Sequence, residues 1–204
     1  MDDLRVDTWL MHNTLLGWWW GKKLLPWDTD TMSVQLAEPD FFFLSAYHNM
    51  STFHFWCRDA RGRRRGERSR YLLQIGPDAT DREQASQTAS LADARWIDTT
   101  TGAYLNVYAV RYDLDDSEAR GQRHGLLRTQ DGSEVMDTTL FPLLGTTFEG
   151  VPVKIPRGYR DLLEEEYGPE ALRRTEQKGY LYDKVTGRWV LGQDESGSDH
   201  EGDL

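Results

Sequence analysis

The stretch from His12 to Gln35 constrains the fold of this chain more than any other. It contains three consecutive tryptophans, Trp18, Trp19 and Trp20, in a run that predicts a short helix. Successive helical residues point about 100° apart, so the three rings cannot all face one core. We expect core packing for most of these rings, with at least one lining a pocket or contacting a partner.

Two alternating carboxylates follow the tryptophans and a Pro-Trp corner. Asp28 and Asp30 stand at the start of an apolar run that predicts a strand ending at Leu36. Side chains alternate along a strand, so both carboxylates would point the same way and could share one hard divalent cation, Mg²⁺ or Mn²⁺. Upstream, Thr14 and Gly17 lie on a turn-to-helix element whose free backbone N–H groups could meet a phosphate. The pattern predicts a site that holds a metal against a phosphorylated substrate.

This stretch resembles the signature of the LicD/fukutin-related family of nucleotidyltransferase-fold phosphotransferases, in particular its fungal branch. The core of that branch reads roughly His-Gly-Thr-Leu-Leu-Gly-Trp-Trp-Trp, then a short spacer and Pro-Trp-Asp-x-Asp-x-Asp. Residues 12–20 and 26–30 match most of this pattern. Residues 140–168 also resemble the Phe-Pro-Leu, Phe-Glu-Gly, Val-Pro and Tyr-Gly segments of the family. The resemblance covers about residues 9 to 168.

The chain departs from the family pattern at three positions. Asn13 stands where the family usually has Gly, and Met32 stands where an ungapped comparison places the third Asp. Asn106 stands where the second conserved strand of the family usually has Asp. Unlike a carboxylate, an asparagine cannot take a proton, and it brings less charge to a metal. Two positions that are normally acidic are therefore neutral here.

The resemblance implies a mixed α/β, nucleotidyltransferase-like single domain over residues 1–191. Composition predicts that residues 192–204, which are mostly Asp, Glu, Gly and Ser, form a disordered acidic tail. The implied activity is transfer of a phospho-linked group from a nucleotide-activated donor to the hydroxyl of a glycan or related acceptor. In that activity metal ions bridge the carboxylates and the diphosphate and neutralise charge on the leaving nucleotide.

The site residues follow from the same resemblance. Asp28 and Asp30 would bind the cation in the catalytic site, with Asn106 as a neutral ligand beside them. Thr14 and Gly17 would lie near the phosphates, and His12 would contact substrate, with a structural hydrogen bond as its alternative role. The five histidines show no spacing typical of a metal site.

A second hypothesis belongs to another functional class. A non-catalytic paralogue would keep the fold to bind a nucleotide-sugar, a glycan or a catalytic partner. Activity is plausible if His12, Glu149 or another acidic side chain fills, in space, the gap left at Met32 and Asn106. A hydrolase would need a clearer base, and the chain contains neither a Gly-x-Ser-x-Gly elbow nor a Walker-type phosphate loop.

Charge excludes one class of partner. The formal net charge of −10 argues against a nucleic-acid-binding surface, which needs an excess of Lys and Arg. The segment from Arg58 to Arg70 contains seven arginines and predicts either a solvated loop or an anion-attracting flap beside the phosphate site. Cys57 is the only cysteine, so no internal disulfide forms, and its aromatic neighbours predict a buried thiol.

Membrane association is not visible in the chain as given. It shows no basic-then-apolar signal peptide and no run of about 20 apolar residues. We therefore expect a cytoplasmic protein, or a Golgi or other secretory-membrane protein if an N-terminal anchor precedes these residues.

Periodicity and turn residues predict the order of the elements. The predicted strands and helices are a strand at 7–11, a helix at 14–20, a strand at 30–36, a helix at 41–49, a strand at 71–75, hairpins at 95–112 and 125–136, a helix at 160–167 and a terminal hairpin at 180–191.

Overall fold

The fold is built around one mixed β-sheet, and the helices pack against it. The structure, a computed structural model, describes residues 4–28, 31–55, 68–76, 79, 92–112, 125–129 and 132–192. Within these ranges the strands are β1 Thr8–Leu10, β2 Thr31–Ala37, β3 Ser51–Phe55, β4 Arg68–Ile75, β5 Ala94–Asp98, β6 Tyr104–Tyr112, β7 Leu126–Arg128, β8 Glu134–Met136, β9 Leu144–Phe148, β10 Val151–Ile155, β11 Glu176–Gln177, β12 Tyr180–Asp183 and β13 Arg188–Leu191. The helices are α1 His12–Gly21, α2 Glu38–Ser45, α3 Asp137–Leu140 and α4 Tyr159–Tyr167, and Pro169–Leu172 forms a 3-10 turn.

The main sheet has the strand order β1-β2-β6-β5-β4-β3, with β7 against β6 and β8 against β7. Strands β2 and β6 are parallel, and the other neighbouring pairs of this sheet are antiparallel. Two smaller antiparallel sheets consist of β9 with β10 and of β11, β12 and β13. The mixed sheet with few helices confirms the expected mixed α/β class.

One buried hydrophobic cluster joins the main sheet to the helices. It includes Leu15 of α1, Leu36 of β2, Phe41 of α2, Val107 of β6 and Leu163 of α4, each without measurable exposure. Burying such side chains contributes about 1.5–3 kcal/mol each. Because α1 and α4 share this cluster with β2 and β6, packing fixes the helix ends that carry the candidate site.

The indole N–H groups of the three α1 tryptophans bind two parts of the chain, strand β9 and the 3-10 turn Pro169–Leu172. Trp20 is buried and the other two rings are half-buried, so the expected core packing is confirmed. Each indole N–H donates to a protein acceptor. These acceptors are Thr146 Oγ1 for Trp18 at 3.0 Å, the backbone oxygen of Leu172 for Trp19 at 3.3 Å and that of Ala171 for Trp20 at 3.0 Å.

Helix α1 ends in a tight reversal that explains Gly17. Lys22 adopts a left-handed conformation with φ 56°, and its N–H donates to the oxygens of Gly17 and Trp18. The chain then turns back over the helix, so that a Cβ on Gly17 would lie 2.4 Å from the oxygen of Lys23. Only glycine fits this position without displacing the turn.

A buried ion pair fixes the far end of β6. Asp93 is fully buried, and its carboxylate accepts the N–H of Ala109 at 2.8 Å and a bond from Arg111 Nη2 at 2.8 Å. Arg111 also lies 3.5 Å from Glu38 of α2. Burial raises the pKa of Asp93, and the charge of Arg111 opposes that rise.

Most predicted elements are confirmed, including the β5–β6, β7–β8 and β12–β13 hairpins. The sequence did not predict strand β3 or the β9–β10 hairpin. Most of the arginine-rich segment, with Cys57, lies outside the described residues, and its last three residues belong to β4. Residues 193–204 of the predicted tail also lie outside them, so the domain boundary stays a prediction.

In the part of the chain that the structure describes, no helix has both the length and the apolar character needed to cross a membrane.

Substituting Gly17→Ala will destabilise the protein. A collision with the backbone oxygen of Lys23 outweighs the roughly 1 kcal/mol that alanine gains in helix propensity. We expect the free energy of unfolding to fall by about 1–2 kcal/mol in urea titrations. Gly145→Ala is the matched control, because a Cβ there meets open space. Equal effects of the two changes would contradict this account.

Substituting Arg111→Met will leave Asp93 buried without its cation, with an expected loss of about 3–5 kcal/mol. The raised pKa of Asp93 means that the folded protein holds this proton to higher pH than the unfolded chain does. Asp93 therefore costs stability as the pH rises above its unfolded pKa, and removing Arg111 raises the folded pKa further.

Urea titrations of this variant and wild type at pH 5 and pH 7.5 should show the larger deficit at pH 7.5. The control is Arg174→Met, at an exposed position. A deficit that does not change with pH would show that Asp93 is not the group left unpaired.

Candidate functional site

The start of α1, the turn before β2 and the end of α4 meet at one place. Asn13 of α1 donates from Nδ2 to Asp28 Oδ2, and its own Oδ1 accepts the N–H of Thr14 at 2.9 Å. The N–H of Asp28 donates to the oxygen of Leu25 at 2.9 Å, which closes a turn. Asn13, found where the family usually has Gly, thus ties a candidate metal ligand to the helix.

His12 and Glu166 form the second contact at this place. Nδ1 of His12 lies 2.9 Å from Oε1 of Glu166, and the His12 ring meets the ring of Tyr108 edge-on at 5.1 Å. A carboxylate can only accept, so Nδ1 carries the proton and the neutral ring has its lone pair on Nε2. The structural hydrogen bond expected as an alternative for His12 is present, and it sets the tautomer suited to a general base.

Tyr167 reports the electrostatics of the site. Burial raises the pKa of its hydroxyl most, followed by the negative charge of Glu166, a hydrogen bond to Glu166 and the charge of Asp28. The phenol therefore stays protonated at any physiological pH. The charges of Glu166 and Asp28 thus both act on the hydroxyl of Tyr167, which places the two carboxylates at the same end of α4.

Asn106 lies on β6, the strand beside β2. It is 8% exposed, pairs in register with Ser33, and its Oδ1 accepts a bond from Arg95 Nε at 3.3 Å. Among the described hydrogen bonds Asn106 contacts Arg95 and not Asp28. The parallel pairing brings Asn106 next to the strand that Asp28 precedes, as predicted, but a guanidinium already binds its side chain.

The predicted metal pair is described only in part. Asp30 lies outside the described residues, and Asp28 belongs to the turn closed by Leu25, just before strand β2. Their shared binding of one cation stays a prediction. Among the described residues, no group of three or more His, Cys, Asp or Glu side chains could hold a metal. Mg²⁺ usually binds through one or two carboxylates plus substrate phosphates, so Asp28 with Asp30 still fits its donor requirements.

Thr14 and Gly17 have structural partners. Thr14 is 1% exposed, and its hydroxyl accepts the N–H of Ser33 at 2.8 Å. Gly17 lies under the reversal that follows α1. Their contact with a phosphate stays a prediction.

Sequence reasoning named Glu149 and missed Glu166. The Glu149 carboxylate accepts the N–H of Leu24 at 2.9 Å, so it supports the turn after α1. Glu166 ends a run of three glutamates in the last turn of α4. Negative charge at a helix C-terminus is unfavourable, because the helix dipole is negative there. The placement of three glutamates at this unfavourable position was the sequence signal that could have drawn attention to Glu166.

A cavity of about 290 Å³ adjoins the His12–Glu166 pair. Its walls come from α1, β2, α4 and the β7–β8 hairpin. Lining residues include His12, Gln35, Glu134, Leu162, Glu165 and Glu166.

Comparison with known proteins agrees with the sequence signature. The family described as "LicD/FKTN/FKRP, nucleotidyltransferase domain" matches residues 5–55, which include α1, β2 and Asp28. Mannosyltransferase regulator 4 of Saccharomyces cerevisiae is 31% identical over 102 residues, which is 50% of this chain and 8% of that protein. Mannosyltransferase regulator 14 of the same yeast is 29% identical over 108 residues, 53% of this chain and 11% of that protein.

The matched region thus spans about half of this chain and only a small part of each yeast relative. It includes the residues that build the helix start and the turn at Asp28. Residues 5–55 are therefore similar to the nucleotidyltransferase domain of the LicD/fukutin-related family, in agreement with the signature in the sequence.

Proposed function

We propose that this protein acts in glycan modification as a metal-dependent phosphotransferase. It moves a phospho-linked group from a nucleotide-activated donor to a hydroxyl of a glycan or related acceptor. The family match over residues 5–55 and the names of the yeast relatives, which refer to mannosyl transfer, support the link to glycans. One observation supports the enzymatic part of the proposal. The first two residues of α1 are His12, whose imidazole is oriented by Glu166, and Asn13, which binds the carboxylate of Asp28.

The donor binds on the Asp28 side of the site. Asp28 and Asp30 hold the divalent cation, which when bound neutralises charge on the donor diphosphate. The carboxylates of Asp28 and Glu166 both act on the Tyr167 hydroxyl, and a cation bound beside them would be attracted to their charges. Asn13 restrains the Asp28 carboxylate, which limits the rotamer freedom lost on binding.

The acceptor is activated by His12. Its Nε2 takes the proton of the acceptor hydroxyl, the oxygen bonds to the phosphorus, and the phosphorus–oxygen bond to the nucleotide breaks with its electron pair on the leaving nucleotide. Glu166 stabilises the imidazolium that forms. In this arrangement His12 removes the proton from the acceptor hydroxyl, which Asn106 cannot do because an amide is not basic.

A second candidate function is favoured by the Arg95–Asn106 contact. The guanidinium of Arg95 lies beside Asn106, the position where the family usually has a carboxylate, and its charge weakens cation binding there. The chain would then bind a nucleotide-sugar, a glycan or a mannosyltransferase without catalysis, as the word "regulator" in the relatives' names suggests. Binding of metal and donor without any turnover would favour this candidate.

Asp28→Asn/Asp30→Asn will abolish metal-dependent donor binding, because it removes both charges offered to the cation. The measurement is calorimetric titration with cytidine and guanosine diphospho-donors, with and without Mn²⁺. Asp40→Asn on α2 serves as the matched control. If wild type binds donor equally well without metal, or the double variant binds as wild type does, the metal-dependent mechanism fails.

His12→Asn will lower the transfer rate about 10²–10⁴-fold while donor binding persists, since it removes only the base. His12 has φ 54°, and asparagine tolerates this left-handed conformation, so the fold should survive. His48→Asn is the control, because His48 is exposed and binds the N–H of Ile75. Unchanged turnover in His12→Asn would exclude His12 as the base.

A further inference from the structure

The cavity beside His12 has the properties of a built binding site. Its volume of about 290 Å³ is near the lower end of the range for small-molecule pockets, about 300–1,000 Å³. The base proposed above forms part of its wall, so a bound molecule would lie next to His12.

A buried amide group faces this cavity. Gln35 is 2% exposed and lines the cavity, and its Oε1 accepts the indole N–H of Trp9 at 3.1 Å. Because an indole N–H can only donate, the oxygen of Gln35 must face Trp9, and the NH₂ group is directed away from it. Since Gln35 lines the cavity, this NH₂ group can donate to a molecule bound there. A donor at this position favours a ligand that offers an oxygen.

The rest of the wall combines acceptors with apolar surface. Glu165 and Glu166 offer carboxylate oxygens that can accept hydroxyl protons, and Leu162 and Val135 offer apolar contacts. A sugar presents hydroxyls that both donate and accept, together with C–H faces. Its functional groups therefore match both kinds of surface.

The polar groups of the wall distinguish a sugar from ionic ligands. Glu134 pairs with Arg128 at 2.6 Å, whereas Glu166 accepts a hydrogen bond from the neutral ring of His12 at 2.9 Å and keeps its charge. The charged group of an organic ammonium ion offers no acceptor to the NH₂ group of Gln35, so this donor favours a sugar oxygen over such a cation. The carboxylates still repel a diphosphate, so the cavity does not suit the donor.

We propose that this cavity binds a neutral sugar of the acceptor glycan, with Gln35 as the hydrogen-bond donor that selects it. The proposal rests on the phosphotransferase function above and names the acceptor subsite of that reaction. The bound sugar presents one hydroxyl to His12, which the cavity and the proposed catalytic site share. Gln35 positions the sugar and takes no part in proton transfer.

The test is binding of methyl glycosides, including methyl α-mannoside, followed by ¹H–¹⁵N NMR. In wild type the side-chain amide of Gln35 and the indole N–H of Trp9 should shift with sugar in a saturable manner, because they share a hydrogen bond. Wild-type protein in which neither signal moves would overturn the proposal, whatever the variants show. A larger response to choline than to any glycoside would also overturn it, in favour of a cation site.

Gln35→Glu tests the donor itself. A carboxylate still accepts from Trp9 but lacks the NH₂ protons, so sugar binding should weaken about tenfold or more. The free variant should keep the indole signal of Trp9 near its wild-type position, which shows that the fold is intact. Gln177→Glu on β11, away from the cavity, is the matched control. Equal sugar affinity in both variants would exclude Gln35 as the selecting donor.

The donor experiments separate this proposal from the function on which it rests. Asp28→Asn/Asp30→Asn should lose metal-dependent donor binding and keep the sugar-induced shifts. If the wild-type protein binds sugar but never binds donor, the proposed sugar subsite is retained and the proposed phosphotransferase function is overturned. Turnover of a glycan acceptor that is insensitive to Gln35→Glu would overturn the subsite alone.

Discussion

The hydrogen bond from the N–H of Ser33 to the hydroxyl of Thr14 fixes the arrangement on which the site depends. Both residues are buried, so losing the acceptor would strand a backbone donor away from water. The bond seats the first turn of α1 on β2, and the N–H of Met11 reinforces it by donating to the oxygen of Ser33 at 3.2 Å. His12 and Asn13 lie between these two attachments, so their backbone position is set by the core.

The sequence predicted the elements whose turns and periodicity are local. The β5–β6 and β7–β8 hairpins have glycine-containing turns, and Gly102 and Gly132 both take the positive φ that such turns need. The β9–β10 hairpin was missed because Pro152 argues against a strand, although a two-stranded edge accommodates a proline. Strand β3 was missed because its apolar residues adjoin the arginine-rich segment, which hides the boundary. The sequence predicted that β6 lies near the residues before β2, but not that the two strands pair in parallel. The register of such a pair depends on tertiary contacts.

The site was predictable to the extent that one local motif encodes it. The Pro-Trp-Asp motif indicated Asp28, but Glu166 is 154 residues away from its partner His12. Periodicity describes α4 as an amphipathic helix and assigns its glutamates to solvent, so no local rule connects Glu166 with His12. Gln35 was hidden in another way, because an alternating strand pattern does not tell whether a buried amide is satisfied. Its importance emerges only from the orientation that Trp9 imposes.

The neutral side chain of Asn106 has a consequence for the proposed site. An aspartate on β6 would lie beside Arg95, and the guanidinium would neutralise part of its charge. Asparagine keeps the hydrogen bond to Arg95 and avoids a buried charge, so the side chain of Asn106 stabilises the pairing of β5 with β6. In the mechanism that we propose, the proton is taken instead by His12, whose ring is oriented by the carboxylate of Glu166. Because His12 and Gln35 line the same cavity, the proposed base and the proposed acceptor subsite lie together at the junction of α1 with α4.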